Sequence, residues 1–335
     1  VVEVVDALAE LVDRSLVVAD QSANGARAGA GAAGVGTSSA GAATRYRLYD
    51  SIRAYAGERL DAAGERAAVR DRFVDEVAAV ADEFVLEALR QWTPELIAAI
   101  VDRFTHLMTA VEWGLDDPTP GRAYRLIVPL YGPTHGSHAG TVATLARTAF
   151  ERWDGLGTPL RAEALAVGAT AMLFSGDLDG ADRYGREALD DPEATSLARM
   201  LAHRTLGYVC THRDDAPAGL AHIDAAIVEA ADHAAFRREL EVSWAALVTG
   251  PGADRRGLAL VERVAAEAAA EGEVVNQAWA RVVAVNRRLR LGHVDEAARD
   301  ADAVRQLADR GALAYFKAAG HRAAAMVEAS AGAWE

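Results

Sequence analysis

The chain has 335 residues, with 35 Lys and Arg against 49 Asp and Glu, for a formal net charge of −14. That balance repels phosphate backbones and argues against sequence-independent nucleic-acid binding. A single cysteine, Cys210, rules out an internal disulfide and a four-thiolate zinc site. No apolar run approaches the ~20 residues that a membrane span needs, so a cytoplasmic location is expected. The chain opens on Val1 rather than Met and stops at Glu335 part-way through what reads as a repeat; both ends are expected to be cuts in something longer.

In chain order, Val4, Val5, Leu8, Leu11 and Val12 fall at helical spacing, and the short run Leu16-Val17-Val18 reads as a strand. Residues 21–43 are a Gly/Ala/Ser stretch without periodicity. Thr44 to Tyr49 then alternates as a second strand, which predicts a hairpin followed at once by a helix. Asp50 or Ser51 is positioned to cap that helix, with Ile52, Tyr55, Ala56 and Leu60 on one face. Val69, Phe73, Val77, Val80 and Phe84 mark another helix. Thr93-Pro94-Glu95 is a helix start, and Leu96, Ile97, Ile100, Phe104, Leu107 and Val111 form its apolar stripe. Asp116 to Gly121 breaks the chain, and a boundary is placed there. The expected organisation is 1–60, 61–120 for connecting helices, and 121–335 for repeats.

The repeat shows as a turn followed, five residues after its first member, by a small residue. Gly176-Asp177-Leu178-Asp179-Gly180-Ala181 and Gly292-His293-Val294-Asp295-Glu296-Ala297 are clean copies. Arg213-Asp214 leads to Ala218; Gly136 starts a looser copy, a degenerate one falls near Gly252, and Gly332 begins a truncated one. A helix pair alone leaves one face apolar, and stacking pairs buries each face against the next. The turn residue must accept positive φ where the first helix ends, and Gly207 supplies a small residue where two helices of a pair cross. The predicted fold class is all-α: a tetratricopeptide-like α-solenoid, preceded by a small β-hairpin and helices, which the resemblance described next implies are a partial winged helix.

Two stretches carry a resemblance. Leu8-Ala9-Glu10-Leu11-Val12-Asp13-Arg14-Ser15-Leu16-Val17-Val18, followed by Arg45 to Ala56 and Glu58-Arg59-Leu60, is similar to the junction after the nucleotide-binding core of STAND-class bacterial transcriptional regulators. These include the LuxR-type and antibiotic-pathway regulators of actinobacteria. Ala98 to Phe104, with Ala110-Val111-Glu112-Trp113, resembles the helix leading into their tetratricopeptide-like sensor array. The resemblance implies that residues 1–60 end a winged-helix module and that 21–43 is an insert at its wing tip. It also implies that the repeats form a non-catalytic arm, which binds an effector and controls a nucleotide-binding core elsewhere in a longer chain.

No catalytic constellation emerges. Gly29 to Gly34 matches G-x-G-x-x-G, but loop residues follow where a helix must open. The single lysine, Lys317, is not in a P-loop. His135 and His138 share a turn without further ligands; His203 and His212 are too far apart for a helical His pair; Cys210 reads as a small core residue. Arg45, Arg47, Arg53 and Arg59 are interleaved with Asp50, Glu58 and Asp61, which predicts a salt-bridged surface rather than a DNA contact. No cofactor, metal or enzymatic activity is expected in this chain. In a tetratricopeptide-like pair the first helix lines the concave face. Its exposed positions are expected to include Glu163, Thr170, Arg204, Tyr208, Thr211, Trp279 and Asn286, contacting a protein or small-molecule effector, with Arg204 and Tyr208 on one helix face. The alternative is a free-standing helical scaffold for protein assembly.

Overall fold

The computed structural model describes residues 2–20, 45–91, 93–117, 120–134, 138–154, 156–158, 160–310 and 314–332. The 21–43 insert with its glycine fingerprint, His135, and the turn copy at Gly136 lie outside them. The chain forms two compact units, Val1–Arg72 and Phe73–Glu335.

The first unit contains helix α1 (Val2–Asp13) and strands β1 (Val17–Asp20) and β2 (Arg45–Leu48). The strands pair antiparallel, with Val17 opposite Leu48 and Asp20 opposite Arg45, which is the predicted hairpin. Helix α2 (Asp50–Ala63) follows, but neither Asp50 nor Ser51 caps it: the N-cap is Tyr49, in extended conformation, with no side-chain bond. Asp50 already lies in the first turn, where a carboxylate favours the helix dipole. Ile52, Ala56 and Leu60 are half-buried, whereas Tyr55 projects outward at 61% exposure and does not belong to their face. The charged surface also differs from expectation. Asp61 pairs with Arg66, and exposed Arg47, Arg53 and Arg59 make no ion pair with a described residue.

Helix α3 (Arg66–Arg90) contains the division between the units. Within the second unit, helix α4 (Pro94–Leu115) starts as its sequence dictates: the Thr93 hydroxyl accepts the Leu96 N–H at 3.2 Å, with Pro94 in the first turn. Leu96, Ile100, Leu107 and Val111 are buried, and Phe104 is half-buried. On either side of the predicted boundary the backbones approach closely: a Cβ on Gly114 would stand 3.4 Å from the Ala123 backbone. Beyond it come α5 (Gly121–Ile127), a 3-10 turn (Val128–Leu130), α6 (Tyr131–Thr134) and α7 (Ala139–Arg152).

Helix pairs then succeed one another: α8 (Arg161–Ser175) with α9 (Leu178–Asp190), α10 (Ser196–His212) with α11 (Ala216–Glu229), α12 (Ala234–Leu247) with α13 (Ala253–Ala270), and α14 (Val274–Arg290) with α15 (Val294–Arg310). Helix α16 (Ala314–Ser330) is the last. First helices begin 35 to 40 residues apart, the period read from the turns. Gly176 ends α8 in the left-handed region at φ 88°, and Asp177 then caps α9 by accepting the Gly180 N–H at 3.0 Å. In the next pair that conformation falls to Asp214, at φ 62°. Near Gly252 the copy is degenerate, since Gly252 precedes the second helix as its N-cap instead of ending the first. The largest apolar cluster extends from Val74 to Leu240, and three smaller ones follow between Val242 and Val327.

Candidate functional site

Arg204 and Tyr208 lie one turn apart on α10, as the sequence places them, and the structure joins them to residues from other helices. The Arg204 guanidinium meets Glu239 of α12 at 2.7 Å. The Tyr131 hydroxyl donates to both oxygens of the same carboxylate, at 3.1 and 3.3 Å. Three rings surround the guanidinium carbon: Tyr208 at 5.3 Å, Phe174 at 5.8 Å and Tyr131 at 5.9 Å, distances at which a ring face attracts a cation. Tyr208 donates to the Ser243 hydroxyl at 2.9 Å, and Ser243 donates to the Glu239 carbonyl at 3.0 Å. The backbones of α10 and α12 do not pack closely; these side chains span the gap.

Electrostatics follows from this geometry. Burial works against the Arg204 charge, but Glu239 and the phenols of Tyr131 and Tyr208 hold it protonated even more firmly than an ordinary arginine. Burial raises the Tyr131 hydroxyl well above the usual tyrosine range and raises Tyr208 as well, in both cases against the pull of Arg204. The phenols therefore stay neutral donors. An aromatic extension lies alongside: Trp279 of α14 has its ring 6.0 Å from Tyr315 and 6.2 Å from Phe316 of α16. Burial raises the Tyr315 hydroxyl, against the pull of Arg322 and Arg204. Phe174 and Tyr315 remain 40% and 42% exposed, so the aromatic rim is open to contact.

The other expected groove residues divide. Glu163, Thr170 and Arg204 are buried rather than exposed. Glu163 accepts from the Thr195 hydroxyl at 2.7 Å, and Thr170 bonds Thr205 at 2.9 Å between α8 and α10. The cause is that α5, α6, α7, α9 and α10 all pack on α8. A signal was available: Ala164 to Leu173 is apolar nearly all round, the pattern of a helix surrounded by others. Half-buried Thr211 bonds the Gly207 carbonyl at 2.9 Å and faces Gly219 of α11. Asn286, also half-buried, bonds back to the Val282 carbonyl. Of the seven positions, Arg204 and Tyr208 belong to the ion-pair site and Trp279 to the ring group with Tyr315 and Phe316.

Sequence reasoning missed a recurring clamp. An arginine early in three of the first helices reaches acids near the end of its pair: Arg161 to Glu187 and Asp191, Arg199 to Glu229 at 2.8 Å, and Arg238 to Glu271 at 2.6 Å and on to Glu273, the N-cap of α14, at 2.7 Å. The arginines stand 38 and 39 residues apart, a spacing that matches the repeat and could have revealed them. Elsewhere His138 stacks on Phe104 with centroids 3.9 Å apart. Cys210 is half-buried rather than in the core, and burial pushes its thiol up, away from the reactive thiolate. Among the described residues no group of three or more His, Cys, Asp or Glu could hold a metal ion, and no helix is long and apolar enough to cross a membrane.

No protein-family model matches the chain, and no curated protein matches it.

Proposed function

We propose that this chain is the non-catalytic sensor or interaction arm of a STAND-class transcriptional regulator, binding a protein or small-molecule effector through the first-helix face. The observation that carries the reading is the Arg204–Glu239 pair within its open aromatic rim, set in an array of helix pairs that follows a hairpin-and-helix unit in the sequence. Neutral phenols, a neutralised ion pair and exposed rings suit recognition of a planar or apolar group; they offer no nucleophile beside a base. The junction motifs at 8–18 and 45–60 supply the regulator context, in which the arm acts on a nucleotide-binding core and makes no DNA contact of its own.

The test uses the full reading frame that contains this chain. Removing residues 161–335 should change transcriptional output or ATP hydrolysis, and Tyr315→Ala should shift the effector response without unfolding the protein. Output indifferent to the deletion would overturn the regulatory reading. In that case the free-standing scaffold takes its place.

A further inference from the structure

The face of α10 that packs on α11 carries a second arrangement of polar groups. His203 and His222 bring their Nδ1 atoms to 2.9 Å, with ring centroids 5.2 Å apart and planes at 41°. Both rings are half-buried. They stand one turn from the closest approach of the two helices, where a Cβ on Gly207 would lie 3.0 Å from the Gly219 carbonyl. Two imidazole nitrogens at that distance need one proton between them: one Nδ1 donates and the other accepts.

We propose that His203 and His222 form a proton-responsive joint between α10 and α11, closed while one Nδ1 proton is shared and opened when both Nδ1 positions carry a proton. In the neutral pair the donating ring has its free lone pair on the outer Nε2. A first added proton enters there and leaves an Nδ1–H···Nδ1 bond strengthened by charge. The second must go onto the accepting Nδ1. It turns the bond into two N–H groups head to head and places two cations together in a half-buried seam.

The surroundings do little to relieve that repulsion. Glu229 of α11 lies near His203 but is engaged by Arg199 at 2.8 Å; Asp182 of α9 lies near His222 but is engaged by Arg186 and Arg213. Asp224 on α11 is exposed. On α8, Arg161 is paired with Glu187 and Asp191, and Glu163 bonds Thr195. On α12, Glu239 meets Arg204, Glu241 meets Arg263, and Arg238 meets Glu271 and Glu273; Arg237 adds another positive charge. Burial, with the neighbouring cations, accordingly lowers both histidines below the ordinary range. Because the unfolded chain then binds more protons, the stability of this hairpin is complete above the unperturbed value near 6.5 and is lost as pH falls below it. Arg204 is the next residue on α10, so movement at the joint reaches the aromatic site. The joint itself does not depend on the regulatory role proposed above.

The test follows the imidazole nitrogens of the whole chain by nitrogen-15 NMR between pH 4.5 and 8, with hydrogen exchange of the 196–229 amides corrected for intrinsic rate. The expected result is two separated titration steps shared by the rings, unlike Nδ1 signals in the neutral pair, and protection across α10 and α11 that drops with the second step. His222→Asn keeps an N–H donor near the Nδ1 position but cannot titrate; it should leave one step and protection that is flat with pH. Two independent single titrations near 6.5 in the wild-type chain would overturn the joint, as would an acid loss of protection that persists unchanged in the variant. The wild-type titration decides the matter alone if the variant does not fold.

Discussion

Glu273, at the start of α14 and with no exposed side-chain surface, holds Arg238 of α12 through two parallel bonds, Nε to Oε2 at 2.8 Å and Nη2 to Oε1 at 2.7 Å. Asn276 adds a third donor to the same carboxylate at 2.9 Å. Removing one partner of such a pair leaves a buried charge without its counter-charge, which costs about 3–5 kcal/mol. Glu273→Gln should sit at the low end, about 3 kcal/mol, because Glu271 still reaches the guanidinium. The double change Arg238→Met with Glu273→Leu should recover most of that loss. Urea unfolding of the three proteins checks both statements, and a single variant as stable as the parent would refute the first.

Helix crossing provides a sharper contrast. A Cβ on Gly207 would come within 2.8 Å of the Ile223 side chain and 3.0 Å of a backbone carbonyl, whereas one on Gly140 meets nothing within 4 Å. Gly207→Ala should destabilise by about 1–3 kcal/mol through overpacking. Gly140→Ala, in exposed helix, should stabilise by about 0.5–1 kcal/mol through the entropy of the unfolded chain. Thermal melts of the two variants should therefore move in opposite directions.

Much of this architecture was legible because local chemistry decides it. Thr93 caps through its own hydroxyl, Gly176 turns because it lacks a Cβ, and the alternation of Arg45 to Leu48 forms the strand. The candidate site was legible only in part. Arg204 and Tyr208 share a helix face by spacing alone, but their partners Tyr131, Glu239 and Ser243 arrive from helices whose relative placement no local pattern specifies. Glu163 and Thr170 were expected in the open for the same reason: the helices that cover α8 lie up to forty residues away. His203 has only the distant His212 on its own helix, and its partner is His222 on the next.

Arg287 closes the end of α12 from outside. It donates to the carbonyls of Ala245, Ala246 and Val248 and pairs with Asp254 at 2.6 Å. A lysine cannot serve that many acceptors from one point charge. Arg287→Lys should therefore lose about 1–3 kcal/mol as buried carbonyls go unsatisfied, and hydrogen exchange in 242–254 should accelerate more than in 161–190. Equal acceleration in both segments would show that the arginine acts globally and not as a cap.

Alkaline behaviour follows from the phenols. Burial raises Tyr131 and Tyr208 above the ordinary value of 10.0. A folded-state pKa that is raised means stability complete below about pH 10 and eroded as pH climbs above it, because only the unfolded chain can then release those protons readily. Phenolate absorbance should show a late fraction that appears together with unfolding. Tyr208→Phe should shrink that fraction.

The arginine clamps have a consequence for how such an array changes over generations. Arg161 and Arg199 meet acids of their own pairs, so those charges are settled before a neighbour arrives, whereas Arg238 also holds Glu273 at the start of α14. A clamp of the first kind can be duplicated, deleted or exchanged with its pair without leaving an orphaned ion. The aromatic site is the opposite case, since Tyr131, Arg204 and Glu239 come from three different places in the chain. Recombination of whole pairs would spare the clamps of Arg161 and Arg199, whereas any cut between Tyr131 and Glu239 would break the site.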